Sequence, residues 1–412
     1  MSIVHHLSRK RREKAGQTLV VYAIMSLVLI FAVGLCVDGA TIYLCKAALD
    51  KAVDAASLTA VRNLFQGDEQ ASEVAQTALM ANYRGGGWNA QAPVANITYS
   101  TDSNNNKIVN VLGTATINTY FIRIIPRFQT FTISSAASAT RAKLIMSLVL
   151  DRSGSMVGNS GSTKLPGAVS TFISFFDDNM DMASLVSFSS TTNLNVSVRQ
   201  PFKNAVTSAV NSMSFSGGTY SDGGLKLAKQ QNDSVVVPPG DNAIKLVVFF
   251  TDGLANTFQY TWPTNKTYNV GGTDPNQGNN YAIFNPSSGN QLPNSSTMYS
   301  GPAPAYCPSM VSFLSIDGDT KSVNGSNFRT EGQLQALNTA NAIRSAGMLI
   351  FCIGLGGGSV DQSFLHKIAN DTSSTTFNPN QPVGEAVFAA TANDLQTVFQ
   401  QIAAKILLRL TQ

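Results

Sequence analysis

Several hydrophobic patterns follow one another along the chain, and each predicts a different kind of structure. Residues 18–37 form an uncharged run of 20 residues, which as a helix is long enough to cross a bilayer. Residues 41–65 contain no Pro or Gly and repeat apolar side chains at helical spacing. Stretches between residues 94 and 139 alternate or are rich in β-branched side chains, which favours strands. From residue 143 onward, apolar strands alternate with amphipathic helices.

A basic tail precedes the apolar run and predicts its orientation. Residues 1–16 carry the cluster Arg9-Lys-Arg-Arg-Glu-Lys14, which by itself supplies the net charge of +4. Since basic flanks stay cytoplasmic, residues 17–38 are predicted to form a transmembrane helix with a cytoplasmic N-terminus, and the rest of the chain is predicted to be exported. A cleaved signal peptide is the alternative, although the run is too long and Cys36-Val-Asp-Gly-Ala40 lacks a small-x-small cleavage site.

Residues 39–84 are predicted to form a helical stalk. A continuous helix over residues 17–64 would be a rod of about 70 Å at 1.5 Å per residue, and a second helix is predicted over residues 69–82. A stripe of small residues suits close packing against another helix and comprises Ala48, Ala52, Ala55 and Ala56. The alternative is an Ala-rich helix that packs on its own domain.

Residues 85–142 are predicted to form a small β-rich domain after the helix-breaking sequence Arg84-Gly-Gly-Gly-Trp88. The pattern predicts antiparallel strands over residues 94–100, 107–112, 114–121 and 128–139. No recognisable chemistry accompanies these strands, which favours a spacer or docking module.

Residues 143–412 are predicted to form a doubly wound, mostly parallel α/β domain with helices on both faces. Strands are predicted over residues 144–151, 183–189, 194–200, 244–251, 348–354 and about 375–387. Helices are predicted over residues 165–178, 203–213, 222–231, 333–346, 362–370 and 393–410. Ligands of such sheets bind outside the carboxyl ends of the strands, at the point where the strand order reverses.

Oxygen-bearing side chains cluster at two of these predicted strand ends. Asp151, Ser153 and Ser155 follow the first strand of the domain as Asp-x-Ser-x-Ser, and Asp252 follows the strand 244–251. Thr219 adds a hydroxyl directly after two glycines. Carboxylate and hydroxyl oxygens are the ligands that Mg²⁺, Mn²⁺ and Ca²⁺ prefer. The sequence therefore predicts a divalent-cation site built from these residues.

Ordinary structural roles compete with this interpretation. Asp and Ser are favoured helix N-cap residues, so Asp-x-Ser-x-Ser alone is also typical of a capped helix start. The metal site is favoured because three such segments follow one another along the chain: Asp-x-Ser-x-Ser, the threonine after two glycines, and Asp252. The first and the last of them come directly after apolar strands. Asp222 is predicted to lie in the first turn of a helix, where its charge suits the helix dipole, rather than to bind metal.

The remaining composition excludes several classes of function. Outside the tail the chain is electrically neutral, so no nucleic-acid partner is indicated. Three histidines are too few for a histidine-rich zinc site or a Ser-His-Asp hydrolase. Cys36 and Cys45 lie on one predicted helix and cannot bridge each other. Cys352 is predicted to be a buried strand residue, and its pairing with Cys307 is left open.

Residues 254–329 form a long segment rich in Asn, Gly, Ser and Pro that interrupts the α/β pattern. A loop of this length inside a domain is either functional or disordered. Because it leaves from Asp252, it is predicted to rise from the rim of the metal site and to set partner choice. Its aromatic residues are typical of binding surfaces and include Tyr260, Trp262, Tyr268, Tyr281 and Tyr299.

Two resemblances to known families follow from these motifs. Asp151, Ser153, Ser155, Thr219 and Asp252 match the ligand positions of the metal-ion-dependent adhesion site (MIDAS) of von Willebrand factor A domains. The N-terminal region carries Arg11-Arg-x-x-x-Gly-Gln-x-x-Val20, Val33-Gly-Leu-x-Val-Asp38 and Tyr43-Leu-x-x-x-x-Leu-x-x-Ala-x-Asp-Ala-Ala56. This pattern resembles the TadG-like proteins of the Tad/Flp pilus system. Val21 stands where processed pilins of that system carry Glu, so the resemblance does not imply cleavage at Gly16.

These features predict a non-enzymatic protein of the bacterial inner membrane, crossing it once and exposing its bulk to the periplasm or cell surface. The resemblance implies a role in Tad pilus assembly, anchoring or cell adhesion. The predicted A domain would bind a protein or surface ligand whose acidic group reaches the bound Mg²⁺, Mn²⁺ or Ca²⁺. Alternatives are a structural scaffold with a vestigial metal site and a metal-dependent hydrolase that activates water.

Overall fold

The computed structural model describes residues 3–102, 106–239, 241–261, 267–272, 281–287, 313–316, 319–322, 325–356 and 360–410. The chain divides into two compact units, Met1–Arg141 and Ala142–Gln412.

Long helices open the first unit. Helix α1 runs without a break over Ile3–Arg62, and α2 follows over Asp68–Asn82. The predicted continuity of the apolar run with the Ala-rich segment is therefore confirmed. The apolar side chains from Leu19 to Ile30 are exposed. The helix portion Thr18–Arg62 is long and apolar enough to cross a membrane.

An antiparallel sheet completes the first unit, with β2 (Lys107–Asn118) between β1 (Val94–Thr101) and β3 (Thr130–Thr140). The prediction of two separate strands over 107–112 and 114–121 is wrong, because a single strand, β2, passes through Gly113 without a break. A Cβ at Gly113 would lie 2.4 Å from Val53 Cγ2. The glycine thus lets α1 lie close against the sheet rather than ending a strand.

The Ala-rich stripe of α1 faces this sheet. Leu49, Ala52, Val53 and Ala56 are fully buried in one cluster with β2 residues such as Val109. This is the alternative in which the helix packs on its own domain. The segments predicted as a stalk (39–84) and as a β-rich domain (85–142) share one hydrophobic core here.

The second unit is built on a mixed sheet in the order β14-β13-β7-β4-β5-β6. Adjacent strands are parallel except for β5 and β6, which are antiparallel. Their bounds are β4 Lys143–Asp151, β5 Met182–Phe188, β6 Thr192–Arg199, β7 Ala243–Thr251, β13 Leu349–Leu355 and β14 Glu385–Ala389. The predicted doubly wound, mostly parallel fold class is confirmed.

Helices connect these strands. They are α3 Ser155–Gly158, α4 Gly161–Ser174, α5 Lys203–Asn211, α6 Ser221–Asp233, α7 Gly325–Ser345, α8 Gln362–Ala369 and α9 Leu395–Arg409. The last strand is shorter than its predicted range of about 375–387. Side chains of Asn370 and Asp371 accept hydrogen bonds from nearby backbone N–H groups and hold the chain before β14 in turns. Such local bonds compete with a sheet ladder.

Strands occupy part of the segment expected as a long loop. They are β8 Thr257–Thr261, β9 Thr267–Gly272, β10 Tyr281–Phe284, β11 Phe313–Ile316 and β12 Asp319–Ser322. Strand β9 pairs antiparallel with β8 and with β10, and β11 pairs with β12. The loop prediction is therefore wrong over these residues. Trp262, Tyr299 and Cys307 lie outside the described residues. Cys352 is buried in β13, as predicted.

Candidate metal centre

The strand order reverses beside β4, which lies between β5 on one side and β7 on the other. The chain winds away from β4 in one direction first and returns to its opposite side later. The connections leaving the carboxyl ends of β4 and β7 therefore diverge and leave a crevice, which is where such sheets bind ligands. Asp151 is the last residue of β4, and Asp252 directly follows β7.

Asp151 is completely buried and held by two donors. The backbone N–H of Ser153 donates to its Oδ1 at 2.8 Å, and the Thr251 hydroxyl donates to its Oδ2 at 2.5 Å. These bonds fix the carboxylate between the ends of both central strands. Thr251 is a supporting residue that the sequence interpretation missed, although it immediately precedes Asp252.

A second group of hydrogen bonds joins the two serines to Asp252. The Ser155 hydroxyl donates to Asp252 Oδ1 at 2.7 Å and lies 3.0 Å from Ser153 Oγ. Asn159 Nδ2 donates to Asp252 Oδ2 at 3.0 Å. The N-cap residue of helix α3 is Gly154 rather than Asp151 or either serine, and the Ser155 hydroxyl donates to Asp252 instead. That observation argues against the simple capped-helix interpretation.

Thr219 reaches the same place from a glycine turn. Gly217 has a positive φ of 88°, and the N–H of Gly218 donates to Ser190 Oγ at 2.9 Å. The N–H of Thr219 donates to Asn256 Oδ1 at 2.8 Å. These bonds hold the turn from both sides.

Gly253 marks the point where the hydroxyls converge. A Cβ on this glycine would lie 3.3 Å from Thr219 Oγ1 and 3.5 Å from Ser155 Oγ. The structure therefore brings all five predicted residues to one crevice. Four of them line an open cleft of about 340 Å³, and Asp151 lies beneath it. The cleft is lined by Ser153, Gly154, Ser155, Asn159, Gly217, Thr219, Asp252, Gly253, Leu254 and Asn256.

Burial dominates the electrostatics of the two carboxyl groups. Burial, together with the nearby charge of Asp252, raises the pKa of Asp151 to about 7. Burial also raises the pKa of Asp252, against the opposing effect of its hydrogen bonds. Two adjacent buried carboxylates are costly to ionise unless a cation compensates them.

The donor set fits a hard divalent cation. Within the described parts of the chain, no group of three or more His, Cys, Asp or Glu residues converges as a metal site. The crevice instead offers two carboxylates and three hydroxyls, all of them oxygen ligands. This set suits an ion such as Mg²⁺, which accepts few carboxylates and keeps waters, better than a zinc site of nitrogen and sulfur ligands.

Neighbouring residues that sequence reasoning did not select complete the crevice. Asn159 follows helix α3, four residues after Ser155, and Asn256 lies in the non-helical connection four residues after Asp252. Neither spacing by itself identifies an amide of the site. Asp222 lies in the first turn of α6, as predicted. It is buried, 2.7 Å from Lys226 Nζ, and accepts a hydrogen bond from the Thr339 hydroxyl.

The described part of the insertion supports this crevice. Asn256 binds the Thr219 turn, and a Cβ on Gly218 would lie 2.5 Å from Thr257 Oγ1. Asn269 in β9 donates to the backbone oxygen of Ser190 at 2.9 Å. The first strands of the insertion are thus part of the site's framework. The insertion is not a loop that is structurally independent of the site, as the sequence had suggested.

Family models match two segments of the chain. A model of the von Willebrand factor type A domain matches residues 146–269. The second unit carries a von Willebrand factor A domain. A model of Flp pilus-assembly TadE/G-like segments matches residues 16–63. No curated protein sequence matches the chain.

Solved structures to which the chain is similar include proteins of pili. A von Willebrand factor type A protein from Catenulispora acidiphila is 13% identical, with 76% of this chain and 50% of that chain covered and a TM-score of 0.39. The pilus adhesin SpaC from Lactobacillus rhamnosus GG is 14% identical and has a TM-score of 0.42, with 77% of this chain and 35% of that chain covered. The von Willebrand factor domain of a type V pilus tip protein from Porphyromonas gingivalis is 16% identical and has a TM-score of 0.41, with 66% of this chain and 98% of that chain covered. The chain spans half or less of the length of the first two proteins.

Proposed function

We propose that this protein is a membrane-anchored envelope component of a Tad/Flp-type pilus system whose A domain binds a protein or surface ligand through a divalent cation. The observation that carries the proposal is the convergence of Asp151, Asp252 and three hydroxyls in an open crevice at the strand-order reversal. The TadE/G-like match and the apolar N-terminal helix support the pilus and membrane parts of the proposal.

The residues of the crevice have distinct roles in this proposal. Ser153, Ser155 and Thr219 would coordinate through their hydroxyls, and Asp151 and Asp252 would act directly or through water. When bound, Mg²⁺ or Mn²⁺ supplies an open coordination position for an acidic side chain of the partner. The role is binding rather than catalysis, with the chain anchored in the bacterial inner membrane, its N-terminus cytoplasmic and its A domain exported.

Cells that carry the Asp252→Ala variant are expected to lose surface attachment to the level of cells without the protein. Asp252 accepts bonds from both Ser155 and Asn159, so its loss removes a carboxylate and releases both partners. Attachment would be counted with Mg²⁺ or Mn²⁺ present and after chelation. Asp233→Ala removes an exposed carboxylate of α6 that pairs with Lys229 and is the matched control. Normal attachment by a variant that no longer binds metal would favour the scaffold alternative.

We also propose that the insertion determines which partner is bound. Tyr260 in β8 lies directly opposite Tyr268 in β9, and both side chains are partly exposed. Their strands join the framework of the crevice through Asn256 and Asn269. Aromatic side chains with few rotatable bonds are favourable contact residues next to an anchoring cation.

Replacing both Tyr260 and Tyr268 by Ala is expected to abolish surface attachment while changing Mn²⁺ affinity by less than about threefold, roughly 0.7 kcal/mol. The replacement retains Asn256 and strands β8, β9 and β10, so the crevice keeps its support. Mn²⁺ titration and attachment assays on the same variant measure the two effects separately. Wild-type attachment by this variant would show that the two tyrosines are not part of partner recognition.

A further inference from the structure

A hydrogen-bonded apolar loop lies between β2 and β3 in the first unit. The backbone N–H of Thr119 donates to the oxygen of Gln129, and its hydroxyl donates to the oxygen of Phe128, so the base of the loop is closed. Short 3-10 turns over Ile122–Ile124 and Pro126–Phe128 fill the interval. We name residues 119–129 the β2–β3 loop.

This loop presents its large apolar side chains outward. Ile124 is 79% exposed, and Tyr120, Phe121 and Ile125 are exposed by 41–47%. Arg123 and Arg127 are exposed among them, and the loop contains no acidic residue. A contiguous exposed apolar surface interspersed with cations is typical of segments that enter the interface of an anionic membrane.

A buried carboxylate holds the loop against the end of the apolar helix. Asp38 is 3% exposed, and its carboxylate accepts the backbone N–H groups of Tyr120, Phe121 and Ile122 at 2.7, 3.0 and 2.7 Å. One turn earlier, Gly34 leaves room for the Phe121 ring, because a Cβ there would lie 2.7 Å from that side chain. The position of the loop along α1 is therefore fixed.

That position is the exported end of the apolar run 18–37. Twenty residues at 1.5 Å per residue match the hydrocarbon thickness of about 30 Å. Contact with Gly34 therefore places Phe121 within about 5 Å of the hydrocarbon boundary. Aromatic side chains favour this level, and nearby arginines meet lipid phosphates.

We propose that the β2–β3 loop is a second membrane contact, which inserts Phe121, Ile124 and Ile125 into the exported leaflet while Arg123 and Arg127 bind anionic headgroups. The proposal rests on the proposed membrane anchor. The contact would fix the tilt and rotation of the first unit on the bilayer, which a single span alone does not. Asp38 is the positioning residue that couples the loop to the span.

The test measures lipid contact at the loop in the full chain. Ile124→Trp and, as a matched control, Val236→Trp are reconstituted into phosphatidylglycerol-containing vesicles with brominated acyl chains. Val236 is 85% exposed and lies in the second unit. The fluorescence of the wild-type protein, which has two tryptophans, is subtracted. The Ile124→Trp signal is expected to shift to the blue and to lose at least about half its intensity, as an indole at the acyl boundary would. The control signal is expected to remain unchanged.

Several outcomes decide the proposal. A chain that does not float with the vesicles would overturn the proposed anchor itself. A chain that floats, but whose added tryptophan is unquenched, would overturn the loop contact alone. If that unquenched signal were also shifted to the blue, the surface would be assigned to contact with a second copy of the chain. Asp38→Asn is expected to reduce the quenching of Ile124→Trp. Equal quenching in phosphatidylglycerol and phosphatidylcholine vesicles would show that Arg123 and Arg127 do not bind anionic headgroups.

Discussion

Replacing Asp151 by Ala is expected to lower the affinity of the full chain for Mn²⁺ by at least about 100-fold, since even supporting residues contribute 10–100-fold at metal sites. The substitution removes one of the two carboxylates of the crevice and leaves the Ser153 N–H and the Thr251 hydroxyl without their acceptor. Isothermal titration calorimetry on wild type, Asp151→Ala and the surface control Asp233→Ala measures the effect. Circular dichroism shows whether the sheet is retained.

Substitutions of the supporting residues are expected to reduce Mn²⁺ affinity by smaller amounts in the same titration. Thr251→Val keeps the shape of the side chain but removes the donor to Asp151, and Asn159→Ala removes a donor to Asp252. Each is expected to weaken Mn²⁺ binding by about 10-fold, because these residues orient ligands without binding the ion. Equal affinity in wild type and Asp151→Ala would show that the crevice is not a metal site.

The site residues could be selected from the sequence because strand ends are visible there. Apolar runs located the ends of β4 and β7, and parallel strands direct their carboxyl ends to one edge of a sheet. Asp151 and Asp252 were therefore expected at the same edge of the sheet, and the adjacency of β4 and β7 brings them together. Asn159 and Asn256 could not be selected in the same way, since their value depends on loop conformations that bring an amide to one particular carboxylate or N–H.

Packing explains where the sequence pattern misled. Gly113 suggests a break between strands, but its missing side chain provides space for Val53 of α1. The Ala stripe is compatible with packing on another helix or on a sheet, and spacing alone does not distinguish them. The insertion was expected as a loop because Asn, Gly and Ser dominate its composition. Its short strands are stabilised by partners such as the buried Asn269, whose contact with Ser190 is distant in sequence.

With a chelator present, Asp151→Asn is expected to make the protein more stable than wild type at pH 8 and no more stable near pH 4. In the folded wild type, burial and the Asp252 charge raise the pKa of Asp151 to about 7 from its ordinary value of 3.8. Between these values the unfolded chain is ionised while the folded one is protonated. The free energy of unfolding therefore falls as pH rises, by at most about 1.4 kcal/mol per pH unit, and levels off above pH 7. The neutral amide of Asn avoids this penalty.

Denaturant unfolding of both proteins across pH 4–8 measures the titration of Asp151 together with the influence of its charge on neighbouring Asp252, because the remaining titrating groups are common to the two chains. Saturating Mn²⁺ is expected to narrow the stability difference between the two proteins at pH 8. Wild type should gain about 2.7 kcal/mol at a free ion concentration 100 times its Kd, whereas Asp151→Asn should gain little. A buried carboxylate that destabilises the chelated protein and stabilises it with metal is retained for binding rather than for folding. Parallel stability curves for the two proteins with chelator, or equal stabilisation of both by Mn²⁺, would contradict that role for Asp151.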